Sequence, residues 1–317
     1  MANLRVQEIL GWYSSENRGV RTNLARMLMH GRLSGTGKLV VLPVDQGFEH
    51  GPTRSFTGQP AGFDPRYHAR LAVEAGCSAY AAPLGFLTSA DVDLTAQLPL
   101  ILKLNSSDVL YQDADPVPAV TAGVEDALRL GCCAVGFTIY PGSAGRAVMY
   151  EEFRTIAEEA RAAGLAVVVW AYPRGSGISE AGQTAVDVVA YAAHIASQLG
   201  AHIIKVKPPT AHVEFDSNRA ILEKAGVAID NLASRVSHVV QSAFDGRRIV
   251  IFSGGPSKDR ADVLAENQQT AAGGGFGTIV GRNSFQRPWQ EAVRLLHDIM
   301  DIHAEAAQAP LDLRVPA

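Results

Sequence analysis

The feature that most constrains this chain is a recurrence of short apolar runs, most of them continuous rather than alternating, each followed by a longer stretch of helical spacing. The runs cover residues 39–45, 77–83, 99–105, 132–140, 165–172, 201–207, 248–254 and 277–282. Continuous apolar runs suit parallel strands whose outer faces are covered by helices. Helical segments are predicted over 119–130, 146–163, 185–199, 231–244 and 260–271. Gly131, Gly164, Gly200 and Gly246 fall just after four of these, where a left-handed residue closes a helix. Roughly eight strand–helix units predict an α/β fold, a single (β/α)8 TIM barrel, with a doubly wound sheet as the structural rival. The second unit is the weakest, since residues 85–97 offer only a short helix. Residues 1–37 read as a short N-terminal helical extension that closes the barrel bottom or meets another subunit. Residues 38–305 read as the barrel and 306–317 as a C-terminal tail. No linker, low-complexity tract or repeat supports a further cut.

Composition agrees with this and removes other classes. A chain of 317 residues with 47% hydrophobic and 19% charged side chains can bury a large core. Its net charge of −4 has the wrong sign for a protein that holds nucleic acid by neutralising phosphates. Cys77, Cys132 and Cys133 lie in apolar runs, form no C-x-x-C pair and read as small core residues. The first residues lack a basic segment followed by an apolar one, so no signal peptide is expected. No run approaches the roughly 18 apolar residues of a membrane span. The cytoplasm is the expected location.

In such a barrel the chemistry gathers where the strands end. Strand one ends at Asp45, in the segment Val44-Asp45-Gln46-Gly47-Phe48-Glu49-His50-Gly51. Strand three carries Lys103, and strand five ends Trp170-Ala171-Tyr172-Pro173-Arg174. Strand six carries Lys205 and Lys207, strand seven ends Ser253-Gly254-Gly255, and strand eight ends Gly281-Arg282. Lys205 and Lys207 are two apart and therefore face the same side of a strand. An ammonium set among Ile203, Ile204 and Val206 is costly to bury. Desolvation and a neighbouring cation both pull its pKa down, towards the neutral amine that attacks a carbonyl. Depth favours Lys205. Lys207, just before Pro208-Pro209, belongs at the rim and stays open as the alternative.

Tyr172 offers a phenol for proton transfer, and Asp45 offers a carboxylate that exchanges a proton or holds the lysine. The alternatives are a phenol that merely fills a barrel layer and a carboxylate that merely pairs for stability. The glycines at the ends of strands seven and eight let backbone N–H groups approach an anion, and Arg282 can clasp its oxygens. Phosphate is the expected anion. Gly273-Gly274-Gly275, at the opposite end, reads as a structural turn, and His202, out of phase with Lys205, as structural. Asp45, Glu49 and His50 are conceivable metal ligands, but no second cluster of fitting spacing accompanies them, and neither metal nor cofactor is expected.

Taken together, the segments 42–52, 170–174, 203–207, 252–255 and 279–288 resemble the class I fructose-bisphosphate aldolases of the archaeal and bacterial DhnA type, within the DeoC/LacD aldolase superfamily. The resemblance runs from about Leu39 to Ile302. It implies a metal-independent, reversible cleavage of fructose 1,6-bisphosphate to dihydroxyacetone phosphate and glyceraldehyde 3-phosphate. Lys205 matches the Schiff-base lysine, Asp45 the strand-one aspartate, and Tyr172 the proton-transferring tyrosine. Lys103, Trp170 and Arg174 match substrate-lining positions, and Ser253, Gly254, Gly255, Gly281 and Arg282 the phosphate cradle. A phosphorylated sugar is the implied partner, and a homo-oligomer the expected assembly. Two rival readings are a related lysine-dependent lyase or transferase acting on another phosphorylated ketose, and a sugar-phosphate-binding regulator without catalysis.

Overall fold

The apolar runs do become strands, and they close on themselves. A computed structural model describes residues 4–308 except 112, 256 and 257. Its strands are β1 (Leu39–Pro43), β2 (Ala79–Pro83), β3 (Leu100–Lys103), β4 (Ala134–Ile139), β5 (Ala166–Ala171), β6 (Ile203–Val206), β7 (Ile249–Ser253) and β8 (Gly277–Ile279). Each pairs in parallel with its neighbours in sequence. β8 returns to β1 with Leu39 opposite Gly277, so the sheet has no free edge. This is the (β/α)8 barrel, and the doubly wound alternative is excluded.

Almost every strand residue is buried, which is why the runs are continuous: one face fills the barrel and the other meets the helices. Inside, large and small residues alternate across strands. A Cβ on Gly136 would stand 2.6 Å from the Trp170 ring, so the glycine is the notch in which that indole lies. The helix-closing glycines take the left-handed conformation, with φ of +67° at Gly131, +78° at Gly164, +93° at Gly200 and +73° at Gly246.

The helix expected over 119–130 is shorter than its spacing suggests. It runs Val124–Arg129, started by the Asp126 carboxylate, which accepts the Gly123 N–H at 3.0 Å. Pro116 and Pro118 hold the preceding chain extended, and Ala119–Val120 pairs antiparallel with Asn105–Ser106. The second unit is weak as expected, with two short helices, Leu84–Ser89 and Val92–Thr95.

Helices Leu4–Gly11 and Arg18–Leu28 cover the end of the barrel where the strands begin. The buried Tyr13 hydroxyl between them donates to the His202 carbonyl at 2.6 Å and accepts from the Ile249 N–H at 3.2 Å. His202 is thus enclosed by the extension rather than facing solvent: its Nδ1 accepts from Val167 N at 2.9 Å, and its ring lies against Tyr13. At the same end, a Cβ on Gly273 would meet the Ala233 carbonyl oxygen at 2.3 Å, which makes the triple glycine the structural turn it was read to be. Helix Trp289–Gln308 extends into the expected tail, and residues 309–317 lie outside the described residues.

Candidate functional site

At the other end of the barrel the polar positions singled out in the sequence lie in the last residues of the strands, as Lys103, Trp170, Lys205 and Ser253 do, or one or two residues past them, as Asp45, Tyr172 and Lys207 do. Asp45, Lys103, Trp170 and Tyr172 line one narrow cavity together with Glu49, Ser106, Ser107, Thr138 and Tyr140. Lys205, on β6, stands against two of these side chains: its Nζ lies 5.1 Å from the Trp170 ring centre and 5.4 Å from that of Tyr172. Lys207 reaches the Tyr172 ring from the rim at 6.0 Å. The two lysines therefore share a face, as their spacing requires. Lys205 is 4% exposed, whereas Lys207 is only partly buried.

Burial dominates the electrostatics. It pulls Lys205 down to about 8, against the opposing pull of Asp45 and Glu49, and Arg282 lowers it further. The cation acting on Lys205 is thus Arg282 rather than the adjacent Lys207. Lys103 and Lys207 are likewise brought to about 8 by burial. For Tyr172, burial and the nearby Asp45 and Glu49 carboxylates push the phenol well up, while a hydrogen bond with Ser253 partly offsets them. Tyr172 therefore stands protonated at neutral pH. Asp45 is buried and its Oδ1 has no partner among the described residues, an acceptor held ready for a bound molecule.

Arg174 donates to Glu49 Oε1 at 2.9 Å and stacks over Tyr140 at 5.0 Å. Glu49, read from sequence as a conceivable metal ligand or a partner for the strand-six lysines, is the carboxylate that holds Arg174 at the mouth. Among the described residues no three His, Cys, Asp or Glu side chains come together to hold a metal ion.

The ends of β7 and β8 are laced together, since Asn283 Nδ2 donates to the Gly254 carbonyl at 2.8 Å. Gly255 is left-handed, with φ of +65°. A Cβ on Gly281 would stand 2.7 Å from the Gln46 amide nitrogen. Arg282, half-buried beside this turn, is lowered by burial and by the Arg54 guanidinium. Two cations close enough to repel, beside a glycine turn, form a setting that an anion relieves.

Several residues here escaped the sequence reading. Thr138 and Tyr140 close β4 and would have emerged had the strand-end rule been applied to that run. Arg54 sits on the short helix Pro52–Phe56, Ser106 on the two-residue strand Asn105–Ser106 and Ser107 just after it, all outside the barrel strands, where spacing carries no such signal. A larger hollow of about 530 Å³, lined by Tyr191, His194, His238 and Phe244 among others, lies on the outside of the barrel and contains none of the strand-end residues.

A closed barrel with a desolvated lysine, a protonated phenol and a free carboxylate at its mouth defines a carbon–carbon lyase of the imine-forming kind. The sequence matches the model of the DeoC/LacD family aldolases over residues 39–287, and the chain belongs to that family. It is 37% identical over 306 residues to the probable class 1 fructose-bisphosphate aldolase of Chlamydia muridarum, covering 92% of this chain and 86% of that one. It is also 37% identical over 252 residues to the class 1 fructose-bisphosphate aldolase of Thermoproteus tenax, covering 79% and 84%. Among solved structures, an archaeal fructose-1,6-bisphosphate aldolase, its catalytic lysine bound covalently to a carbinolamine intermediate of the substrate, superposes with a TM-score of 0.74. The two are 33% identical, with 89% of this chain and 99% of the other covered.

Proposed function

We propose that this chain is a metal-independent class I fructose-bisphosphate aldolase, cleaving fructose 1,6-bisphosphate reversibly to dihydroxyacetone phosphate and glyceraldehyde 3-phosphate. The observation that carries the reading is the placement of Lys205: buried, lowered to about 8, and flanked by Trp170, Tyr172 and Asp45. Relatives named for this reaction over most of the chain support the substrate.

The neutral Lys205 amine attacks the ketose C2 carbonyl, and Asp45 relays the proton that the nitrogen loses to the new oxygen, giving a carbinolamine. Tyr172 then gives its proton to the departing hydroxyl, leaving water, a protonated imine and a phenolate stabilised by that cation. The phenolate takes the C4 hydroxyl proton as the C3–C4 electron pair moves into the imine, and the aldehyde leaves. Tyr172 returns the proton to C3 of the enamine, and hydrolysis frees dihydroxyacetone phosphate and Lys205. Trp170, Lys103 and Arg174 line the substrate, while Ser253, Gly254, Gly255, Gly281 and Arg282, with Lys207 at the rim, hold phosphate. A homo-oligomeric, cytoplasmic enzyme completes the reading; light scattering of the purified protein tests the assembly.

Borohydride reduction with fructose 1,6-bisphosphate in the presence of EDTA, followed by peptide mass mapping, tests the chemistry. A substrate-sized adduct on Lys205 is expected, and Lys205→Ala should abolish it. An adduct on Lys207 instead overturns the nucleophile. No adduct, with cleavage that EDTA abolishes, overturns the class.

A further inference from the structure

Three buried polar atoms in the wall of the strand-end cavity have no hydrogen-bond partner among the described residues: Asp45 Oδ1, Ser106 Oγ and Trp170 Nε1. Asp45 and Trp170 were expected at such a site. Ser106 was not, and it is 7% exposed. A buried hydroxyl left unmet carries a cost that a bound molecule removes. The chain on both sides of it is fixed. Leu104 N carries the β3–β4 ladder one step past Lys103 by donating to Gly136 O at 2.8 Å. The Asn105 side chain carries it a step further, because its Oδ1 accepts from Thr138 N at 2.7 Å and its Nδ2 donates to Thr138 O at 2.9 Å. The Lys103 ammonium donates to the Asn105 carbonyl as well. Ser106 then pairs antiparallel with Ala119. Its backbone is held while its hydroxyl stays unused, and the Trp170 ring is seated as firmly against Gly136.

The kinds of unmet atom say what chemistry fits them. An indole N–H only donates, a carboxylate only accepts, and a hydroxyl does both. Carbonyl or phosphate oxygens would satisfy Trp170 and leave Asp45 Oδ1 unmet, and an ammonium would do the reverse. A run of carbon-bound hydroxyls satisfies all three. We propose that Ser106 is a specificity-determining residue: its hydroxyl bonds one of the hydroxyls along the carbon chain of the sugar, in a wall that selects the hydroxylated middle of the substrate rather than its phosphates. The inference rests on a phosphorylated ketose being the substrate. It adds to the aldolase reading a residue that takes no part in the proton transfers and touches the substrate away from the carbonyl.

The test uses hexitol 1,6-bisphosphate, which lacks the ketose carbonyl and binds without forming an imine. Titration calorimetry compares the native protein with Ser106→Ala on this compound and on its 3-, 4- and 5-deoxy forms. The variant should bind the parent compound about tenfold more weakly. One deoxy form should bind native and variant alike, because it lacks the hydroxyl that Ser106 meets. Ser106→Cys, which fills similar space with a poor hydrogen-bond former, should lose the same affinity as Ser106→Ala. Without ligand, Ser106→Ala should melt no lower than the native protein, since it gives up no bond within the fold. A serine that only supports the fold would lower the melting temperature and weaken all four ligands by one factor. That pattern overturns the proposal. So does a folded variant that binds the parent compound as tightly as the native protein, or a native protein that binds no hexitol bisphosphate. Should the expected pattern hold while the native protein traps no imine with fructose 1,6-bisphosphate, Ser106 keeps its role and the aldolase reading alone fails.

Discussion

Lys205 is held where an ammonium is least comfortable, and its discomfort has a measurable sign. Its folded value of about 8 lies below the ordinary 10.5. The destabilisation is therefore full below pH 8 and is relieved as pH rises from 8 to 10.5. Lys205→Met should accordingly be more stable than the native chain at pH 7, on the order of 2–3 kcal/mol, with the gain shrinking by pH 10; urea titrations at the two pH values check it. The same value predicts that the rate of imine formation rises with pH through a midpoint near pH 8 and levels off above it, which stopped-flow absorbance would follow. Glu49 works in the opposite sense. Arg174 and His50 hold its carboxyl below the ordinary 4.5 despite burial. The pair therefore stabilises the fold above about pH 4.5, and the contribution is lost as pH falls through the folded value. Glu49→Gln should cost about 1–3 kcal/mol at pH 7, and its urea midpoint should converge with the native one once the pH has fallen below the lowered value of the folded carboxyl. Lys205, Tyr172 and Asp45 were legible in the sequence because a polar residue at the end of an apolar run has few places to go. Asn105 and Glu49 were not, because their partners, Thr138 and Arg174, are distant in the chain and meet them only once neighbouring strands align.

At the scale of elements, the strands were the most readable part, since continuous burial leaves a continuous apolar trace. The strand that closes the barrel depends on one residue. Gly277 takes a φ of +142°, and a Cβ there would stand 1.8 Å from the Leu39 carbonyl oxygen. Gly277→Ala should therefore lower stability by about 3 kcal/mol or more, seen as an earlier denaturant midpoint or loss of soluble protein. The sequence showed Gly277 only as the start of a run; why it is glycine is a property of the β1–β8 seam. The helix predicted from residue 119 failed for a related reason. Helical spacing continued through residues that two prolines and the Asn105–Ser106 pairing commit to an extended path.

For the whole molecule, one end of the barrel is sealed and the other is chemically active. The seal hangs on Tyr13, whose hydroxyl joins the starts of β6 and β7 through His202 O and Ile249 N. Tyr13→Phe should cost about 1–3 kcal/mol and lower the melting temperature by a few degrees, with no change in kcat or KM at 25 °C. An equal loss of activity at that temperature would show that the extension reaches the mouth. That a helical extension of one or two helices precedes the barrel was visible in the sequence; that a tyrosine between two of them grips two strands was not, since an apolar aromatic and a gripping one look alike in a string. The seal also fixes an orientation. A tether attached ahead of helix Leu4–Gly11 leaves from the far side, so a protein immobilised by that end presents its reactive lysine to the flowing solution rather than to the support.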